Sequence, residues 1–350
     1  MDNNKTTTVN SLLHPLLIFL LLCACGPLAA QTQGTVEEIT VHGASLEGNL
    51  DGDSPDRSVF VYLPPGYADN PTRRYPVVYL LHGYGLRASR WMTLFNIESA
   101  ANNAMTGSGE GEQAREMILV NPSAYTIYDG SMYSSSVATG DWETFIAEDL
   151  VKYIDSHYRT MPDRLSRGLA GHSMGGYGTM RIGMKRPDVF SAIYPLSACC
   201  MMEDGAPSEA LVTANTYKTR EEVVALRYPN KSVFSRAAAW SPNRNNPPFY
   251  VDLPVVNGVE HKDIQAKWLA NSIIPMVDQY TANLKKYTAI KFDVGLQDNL
   301  LTTNTLLDKA LTQAGVRHTF ETYEGDHNSR ISERIETSVL PFFSNTLKFQ

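Results

Sequence analysis

The stretch Gly168-Leu169-Ala170-Gly171-His172-Ser173-Met174-Gly175-Gly176-Tyr177-Gly178-Thr179-Met180-Arg181-Ile182 decides how the chain folds. Gly168-Leu169-Ala170 is a short apolar run of the kind that makes a buried strand. From Gly176 the residues fit a helix, which stops at Arg186-Pro187 because proline disfavours helical geometry in the residue before it. Between them lies Gly-x-Ser-x-Gly, centred on Ser173. A strand, a sharp turn and a helix arranged in this way present a serine hydroxyl at the carboxyl end of a strand. Glycine is needed on both sides, since side chains two residues from the serine would collide across so tight a turn. The helix that follows aims its N-terminal dipole at any anion formed beside the serine.

A serine hydroxyl is a poor nucleophile until a base takes its proton, so a histidine and an orienting carboxylate are required, in the chain order Ser, Asp or Glu, His. Only His261, His318 and His327 follow Ser173. His318 opens an expected strand, and His261 lies in the middle of the long interval after the sixth expected strand, between Glu260 and Lys262. His327, in Glu324-Gly325-Asp326-His327-Asn328, immediately follows the last expected strand, where the sheet's carboxyl end would present it. Asp298 occupies the equivalent place after the strand ending near Val294 and is the expected acid. Asp293 is the alternative, but it sits within that strand. The oxyanion donors are expected to be the backbone N–H of Met174 and that of Tyr84. Tyr84 follows the third strand in Leu80-Leu81-His82-Gly83-Tyr84-Gly85, where small residues let the backbone approach a substrate carbonyl.

Eight short apolar or β-branched runs read as strands: 38–41, 58–63, 77–81, 117–120, 168–170, 192–196, 291–294 and 319–323. The first two are separated by Asp51-Gly52-Asp53-Ser54-Pro55, a turn that predicts antiparallel pairing at one edge. Apolar residues Phe145, Ile146, Leu150, Val151 and Ile154 recur at helical spacing between 142 and 158, with Asp141 in the N-cap position. Further helices are expected over 300–314 and over 267–286, the latter interrupted by Pro275. Alternating strands and helices give an α/β fold with a mostly parallel central sheet covered on both faces. Gly107 to Gly111 reads as a mobile loop. Residues 197–288 lack a convincing strand and read as an insertion after the sixth strand, lying over the sheet's edge.

The chain has 350 residues, 43% of them hydrophobic and 19% charged, with a formal net charge of −7. That composition supports a packed core and disfavours a nucleic-acid binder. Leu12 to Ala24 is nearly all apolar and ends in small residues, so 1–30 reads as a signal peptide for export to the periplasm or beyond. Cleavage after Ala30 would leave Gln31 first. Alternatively, Leu22-Cys23-Ala24-Cys25 is similar to a lipoprotein box, in which Cys25 would carry lipid and hold the protein at a membrane. The other cysteines, Cys199 and Cys200, are adjacent, and neighbouring cysteines rarely meet disulfide geometry. They read as small buried apolar side chains. No zinc-binding signature occurs, so no metal or other cofactor is expected. The oligomeric state is not fixed by these features.

Three motifs carry a resemblance: Leu80 to Gly85, Gly140-Asp141-Trp142-Glu143-Thr144, and Gly171 to Gly178. With them, the chain from about Val36 onward resembles the esterase D branch of the α/β-hydrolases, which includes feruloyl and acetyl-xylan esterases, S-formylglutathione hydrolases and mycolyltransferases. The resemblance implies an α/β-hydrolase domain over about 35–350 and a secreted serine carboxylesterase that works through an acyl-enzyme without a cofactor. The implied substrate is a small-molecule or polysaccharide-linked ester, such as a feruloyl or acetyl ester of plant polysaccharide. An acyltransferase or peptidase with the same triad, or a carbohydrate-binding protein on this scaffold, are the alternatives. Gly83 and the aromatic residues Trp91, Tyr125, Tyr128 and Tyr133, near the oxyanion loop and after the fourth strand, are expected to contact substrate.

Overall fold

The computed structural model describes residues 1–3 and 33–350. The expected signal peptide, Cys23 and Cys25 lie outside the described residues. Eight strands form one sheet: β1 (Thr35–His42), β2 (Asp56–Leu63), β3 (Val77–Leu81), β4 (Ile118–Pro122), β5 (Arg167–His172), β6 (Ala192–Leu196), β7 (Ala289–Gly295) and β8 (Thr319–Tyr323). Their order across the sheet is β1-β2-β4-β3-β5-β6-β7-β8. β2 runs antiparallel to both neighbours, β1 and β4, and the remaining pairs are parallel. The expected antiparallel edge is therefore present.

Strands β3 to β6 are buried along their whole length, which is why they read as unbroken apolar runs. Their side chains alternate between two cores. Val77, Tyr79 and Leu81 face one that holds Trp142, Phe145, Ile154 and Tyr177. Val78 and Leu80 face the other, with Trp91, Ala100, Tyr194 and Phe343.

The helix expected over 142–158 forms, but Phe145–Asp149 takes one π-helical turn between Trp142–Thr144 and Leu150–His157. Asp141 caps it, accepting from Thr144 N at 3.1 Å. The expected helix over 267–286 is corrected to two, Lys262–Ala270 and Ile273–Leu284. The break falls at Asn271 and Ser272, not at Pro275, which sits in the first turn of the second helix. A proline there forfeits no intrahelical hydrogen bond. The loop at Gly107 to Gly111 is tethered, with Glu110 N donating to Glu336 Oε1 at 2.9 Å.

The segment after β6 reaches both the turn between β1 and β2 and the loop that follows β4. Its helix Asn230–Trp240 rests on the loop that follows β4: Ser235 Oγ donates to Gly130 O at 2.7 Å, and Lys231 Nζ pairs with Asp129 Oδ1 at 2.7 Å. It also holds a two-residue strand pair, Val255–Val256 with Val259–Glu260. Helix Ile273–Leu284 is the crossover into β7, and its Asn283 Nδ2 donates to Met184 O in the helix that follows β5.

Candidate active site

Strand β5 lies at the centre of the sheet, between β3 and β6, and ends at His172. Ser173 follows it with φ 58° and ψ −112° and caps helix Met174–Lys185. That backbone is held by close packing. A Cβ on Gly171 would come 2.5 Å from the Gly175 carbonyl carbon, and one on Gly175 would come 2.0 Å from Leu81 O. Neither position can hold a larger residue without moving backbone. Glu143, from the Gly140 to Thr144 motif, fixes the helix from the outside by pairing with Arg181 at 2.6 Å and Lys185 at 2.8 Å.

His327 Nε2 lies 3.0 Å from Ser173 Oγ, and His327 Nδ1 lies 2.8 Å from Asp298 Oδ2. The Asp298 side chain is fully enclosed while the His327 ring is partly open, so the base can meet solvent and the acid cannot. Burial by itself would raise the Asp298 carboxyl. Hydrogen bonds from His327 and from Leu300 N–H, the latter at 2.9 Å, outweigh it and hold the carboxyl below its ordinary range. As an anion it can accept only, so it fixes His327 as the tautomer with its proton on Nδ1 and a free lone pair aimed at Ser173.

The sheet's order explains how residues so far apart in sequence meet. β6, β7 and β8 step outward from β5, so the base, after edge strand β8, must reach back across roughly 4.8 Å per strand. The acid and base loops are stitched together over that span. Gln297 N donates to Gly325 O at 3.0 Å, and Gln297 Oε1 accepts from Gly325 N at 2.7 Å. His172 Nε2 donates to His327 O at 2.8 Å from beneath.

On the other side, β3 and β5 are paired with Leu81 opposite Gly171, so the loop after β3 meets the serine directly. A Cβ on Gly83 would come 3.4 Å from Ser173 Cβ. The loop's carbonyls are turned away: Tyr133 Oη donates to His82 O at 3.1 Å, and His82 Nδ1 donates to Gly83 O at 2.9 Å. Among the described residues, neither Tyr84 N–H nor Met174 N–H, the latter in the first turn of its helix, donates to another group of the protein. Both expected oxyanion donors, in the residues that follow Gly83 and Ser173, therefore keep their protons unused.

A family whose model is described as "Putative esterase" matches residues 54–331. The chain belongs to that esterase family. Its mostly parallel sheet is that of the α/β-hydrolase fold, shared with solved esterase structures. An endo-1,4-beta-xylanase/feruloyl esterase of Xylanibacter ruminicola is 30% identical over 135 residues, 37% of this chain and 18% of that protein. An esterase of Mycobacterium tuberculosis is 30% identical over 128 residues, 36% of this chain and 26% of that one. This chain thus matches only about a quarter or less of the length of these relatives. Among solved structures, a ferulic acid esterase superposes with TM-score 0.65 at 24% identity, covering 90% of this chain and all of that one. An S-formylglutathione hydrolase from Agrobacterium tumefaciens gives 0.61 at 15% identity, over 90% and 96%.

Several expected substrate contacts of this esterase are corrected. Trp91 is 1% exposed; its indole donates to Asn121 Oδ1 at 3.2 Å and its ring stacks on His172. It supports the residue beneath the base and offers no face to a ligand. Tyr128 is buried against Phe234, and buried Tyr133 holds the oxyanion loop through His82 O. Tyr125 is half-buried, with its hydroxyl on Asp129 Oδ1 at 2.6 Å and Arg87 over its ring. The alternative site residues also lie elsewhere: His318 pairs with Asp308, and Asp293 is locked to Arg334 and Tyr194.

The residues that sequence reasoning passed over are histidines next to glycines. Burial lowers His172 to about 3 and His82 to about 4. Both stay neutral at working pH and act as hydrogen-bonding struts. An open cleft of about 720 Å³ begins at Tyr84 and Asn328 and is walled by Leu86, Leu94, Phe95 and Ile331. Its apolar wall residues Leu86, Leu94, Phe95 and Ile331 lie outside the three motifs.

Proposed function

We propose that the protein is an exported serine carboxylesterase that cleaves aromatic acyl esters, such as feruloyl groups on plant polysaccharide. The observation that carries the esterase reading is the chain Asp298–His327–Ser173, at 2.8 and 3.0 Å, beside two uncommitted backbone donors. His327 Nε2 takes the Ser173 proton as Oγ attacks the ester carbonyl. The tetrahedral oxyanion is met by the N–H groups of Tyr84 and Met174. Asp298 stabilises the imidazolium, which returns its proton to the departing alcohol, and water then releases the acid by the same route.

Two points support the aromatic acyl group. The cleft beside Tyr84 combines apolar Leu86, Leu94, Phe95 and Ile331 with polar Asn96, Asp326 and Asn328, a mixed lining that suits a ring bearing polar substituents. The Xylanibacter ruminicola relative bears the name of a xylanase/feruloyl esterase. Export rests on the apolar leader and its small-residue end.

Ser173→Ala should abolish hydrolysis of p-nitrophenyl acetate and methyl ferulate while the circular dichroism spectrum stays unchanged, and a fluorophosphonate probe should label the wild type only. Undiminished turnover in the variant would remove Ser173 from the mechanism. A substrate panel of methyl ferulate, acetylated xylan and a peptide tests the aromatic reading, which fails if methyl ferulate is not among the substrates turned over.

A further inference from the structure

The turn that leaves β6 carries two cysteines for which ester cleavage has no use. Cys199 N donates to Ser173 O at 3.2 Å, so the turn lies directly against the nucleophile's backbone. Neighbouring side chains of an extended chain point to opposite sides, which normally keeps adjacent thiols apart. Here Cys200 takes φ 62°, a left-handed conformation that a side-chain-bearing residue seldom adopts. It swings the Cys200 side chain onto that of Cys199, and the two Sγ atoms are in contact at 2.6 Å. Cys199 is partly exposed and Cys200 is buried. The expectation of two buried apolar side chains holds for Cys200 alone.

We propose that Cys199 and Cys200 form a redox pair that closes to a vicinal disulfide under oxidising conditions and braces the turn beneath Ser173. The oxidant is a low-molecular-weight disulfide such as glutathione disulfide. The Cys199 sulfur, as thiolate, attacks it, forming a mixed disulfide and releasing one thiol. Cys200 Sγ then attacks the Cys199 sulfur; the protein disulfide forms, the second thiol departs, and it carries off the Cys200 proton. Two thiol hydrogens and two electrons leave the protein, and one reagent disulfide becomes two thiols. Burial, followed by the neighbouring Cys199 sulfur, pushes the Cys200 thiol well up, so the accessible Cys199 is the first to react.

The turn has contacts through which a brace can act. Ser197 N donates to Asp293 O at 2.8 Å, and Ala198 O accepts from Asn304 Nδ2 at 2.9 Å, in the helix beyond Asp298. Ile274 N, opening the crossover helix, donates to Met201 O at 3.0 Å. One small ring thus fixes the nucleophile's support, the acid's helix and the start of the segment covering the loop after β4. The proposal does not depend on which ester is the substrate.

The wild-type protein is treated with glutathione disulfide or with dithiothreitol, denatured, alkylated and digested, and the peptide holding both residues is weighed, which keeps Cys23 and Cys25 out of the measurement. After oxidation the peptide should resist alkylation and be lighter by two hydrogens than its reduced, unalkylated form. Bridge formation should raise Tm by about 2 °C, the scale expected of a very short cross-linked loop in a chain of this size. Cys200→Ala should lose the difference between the two treatments. Full alkylation of both thiols after oxidation, or a mixed disulfide on Cys199 that goes no further, overturns the pair. A bridge that leaves Tm unchanged or lower overturns the brace.

Discussion

At the scale of single residues, the site depends on which protons are held where. His327 can serve as a base only while Asp298 keeps the proton on Nδ1, and Asp298 has an enclosed side chain with, among the described residues, no second cation beside it. Asp298→Asn keeps the shape but offers an amide that can favour the wrong tautomer, so kcat should fall about 10⁴-fold with Tm little changed. A loss under tenfold, measured with p-nitrophenyl acetate, would mean that another group orients the base. Ser173, His327 and Asp298 were legible because each follows a strand in the required order. His172 and Tyr133 were not, since their value lies in the carbonyls they bind, His327 O and His82 O, and a sequence does not show which carbonyl a buried donor meets. Trp91 misled for the same reason: an aromatic next to a motif reads the same whether it faces a ligand or the underside of a histidine.

At the scale of elements, the turn from β5 into its helix is the feature most tightly determined. Gly175→Ala would drive a Cβ to within 2.0 Å of Leu81 O, a backbone atom that cannot step aside without shifting β3. The variant should lose more than about 3 kcal/mol of stability, seen as a large drop in Tm or in soluble yield. Wild-type stability would show that the elbow is looser than its packing implies. Strand positions were legible because buried parallel strands are short apolar runs that little else resembles. The π turn at Phe145–Asp149 was not, because Ile146, Leu150 and Ile154 keep a helical spacing across it. Pro275 pointed to a break in a single long helix, whereas it opens the second of two. A proline marks either event, and only the backbone hydrogen bonds distinguish them.

At the scale of the whole molecule, the segment between β6 and β7 reaches the turn between β1 and β2, where half-buried Arg220 meets buried Asp51. Arg220 donates to Leu50 O and Asp51 O, each at 2.9 Å, and lies 3.3 Å from Asp51 Oδ1. Burial pushes the Asp51 carboxyl up to about 7 from 3.8, and Arg220 draws it only partly back. Between about pH 4 and 7 the folded chain therefore holds a proton that the unfolded chain has released. This contribution to stability is greatest at the acid end, falls as pH rises through that window and is level above it. Asp51→Asn has no such proton, so the Tm difference between variant and wild type should move in the variant's favour as pH rises from about 4 to 7. Parallel Tm curves would show that Asp51 ionises normally in the fold.

The sequence by itself determined the α/β architecture, the antiparallel edge and the three residues of the candidate triad. Each of these rests on local patterns: apolar runs, turn glycines, and the loop that follows a strand. Tertiary structure alone decided what lies over the carboxyl ends of the strands, which aromatic rings are struts, and that two adjacent thiols meet beneath the nucleophile. Those outcomes depend on contacts between segments far apart in the chain, such as His172 with His327 O, 155 residues on, and no local pattern records which partner a side chain finds.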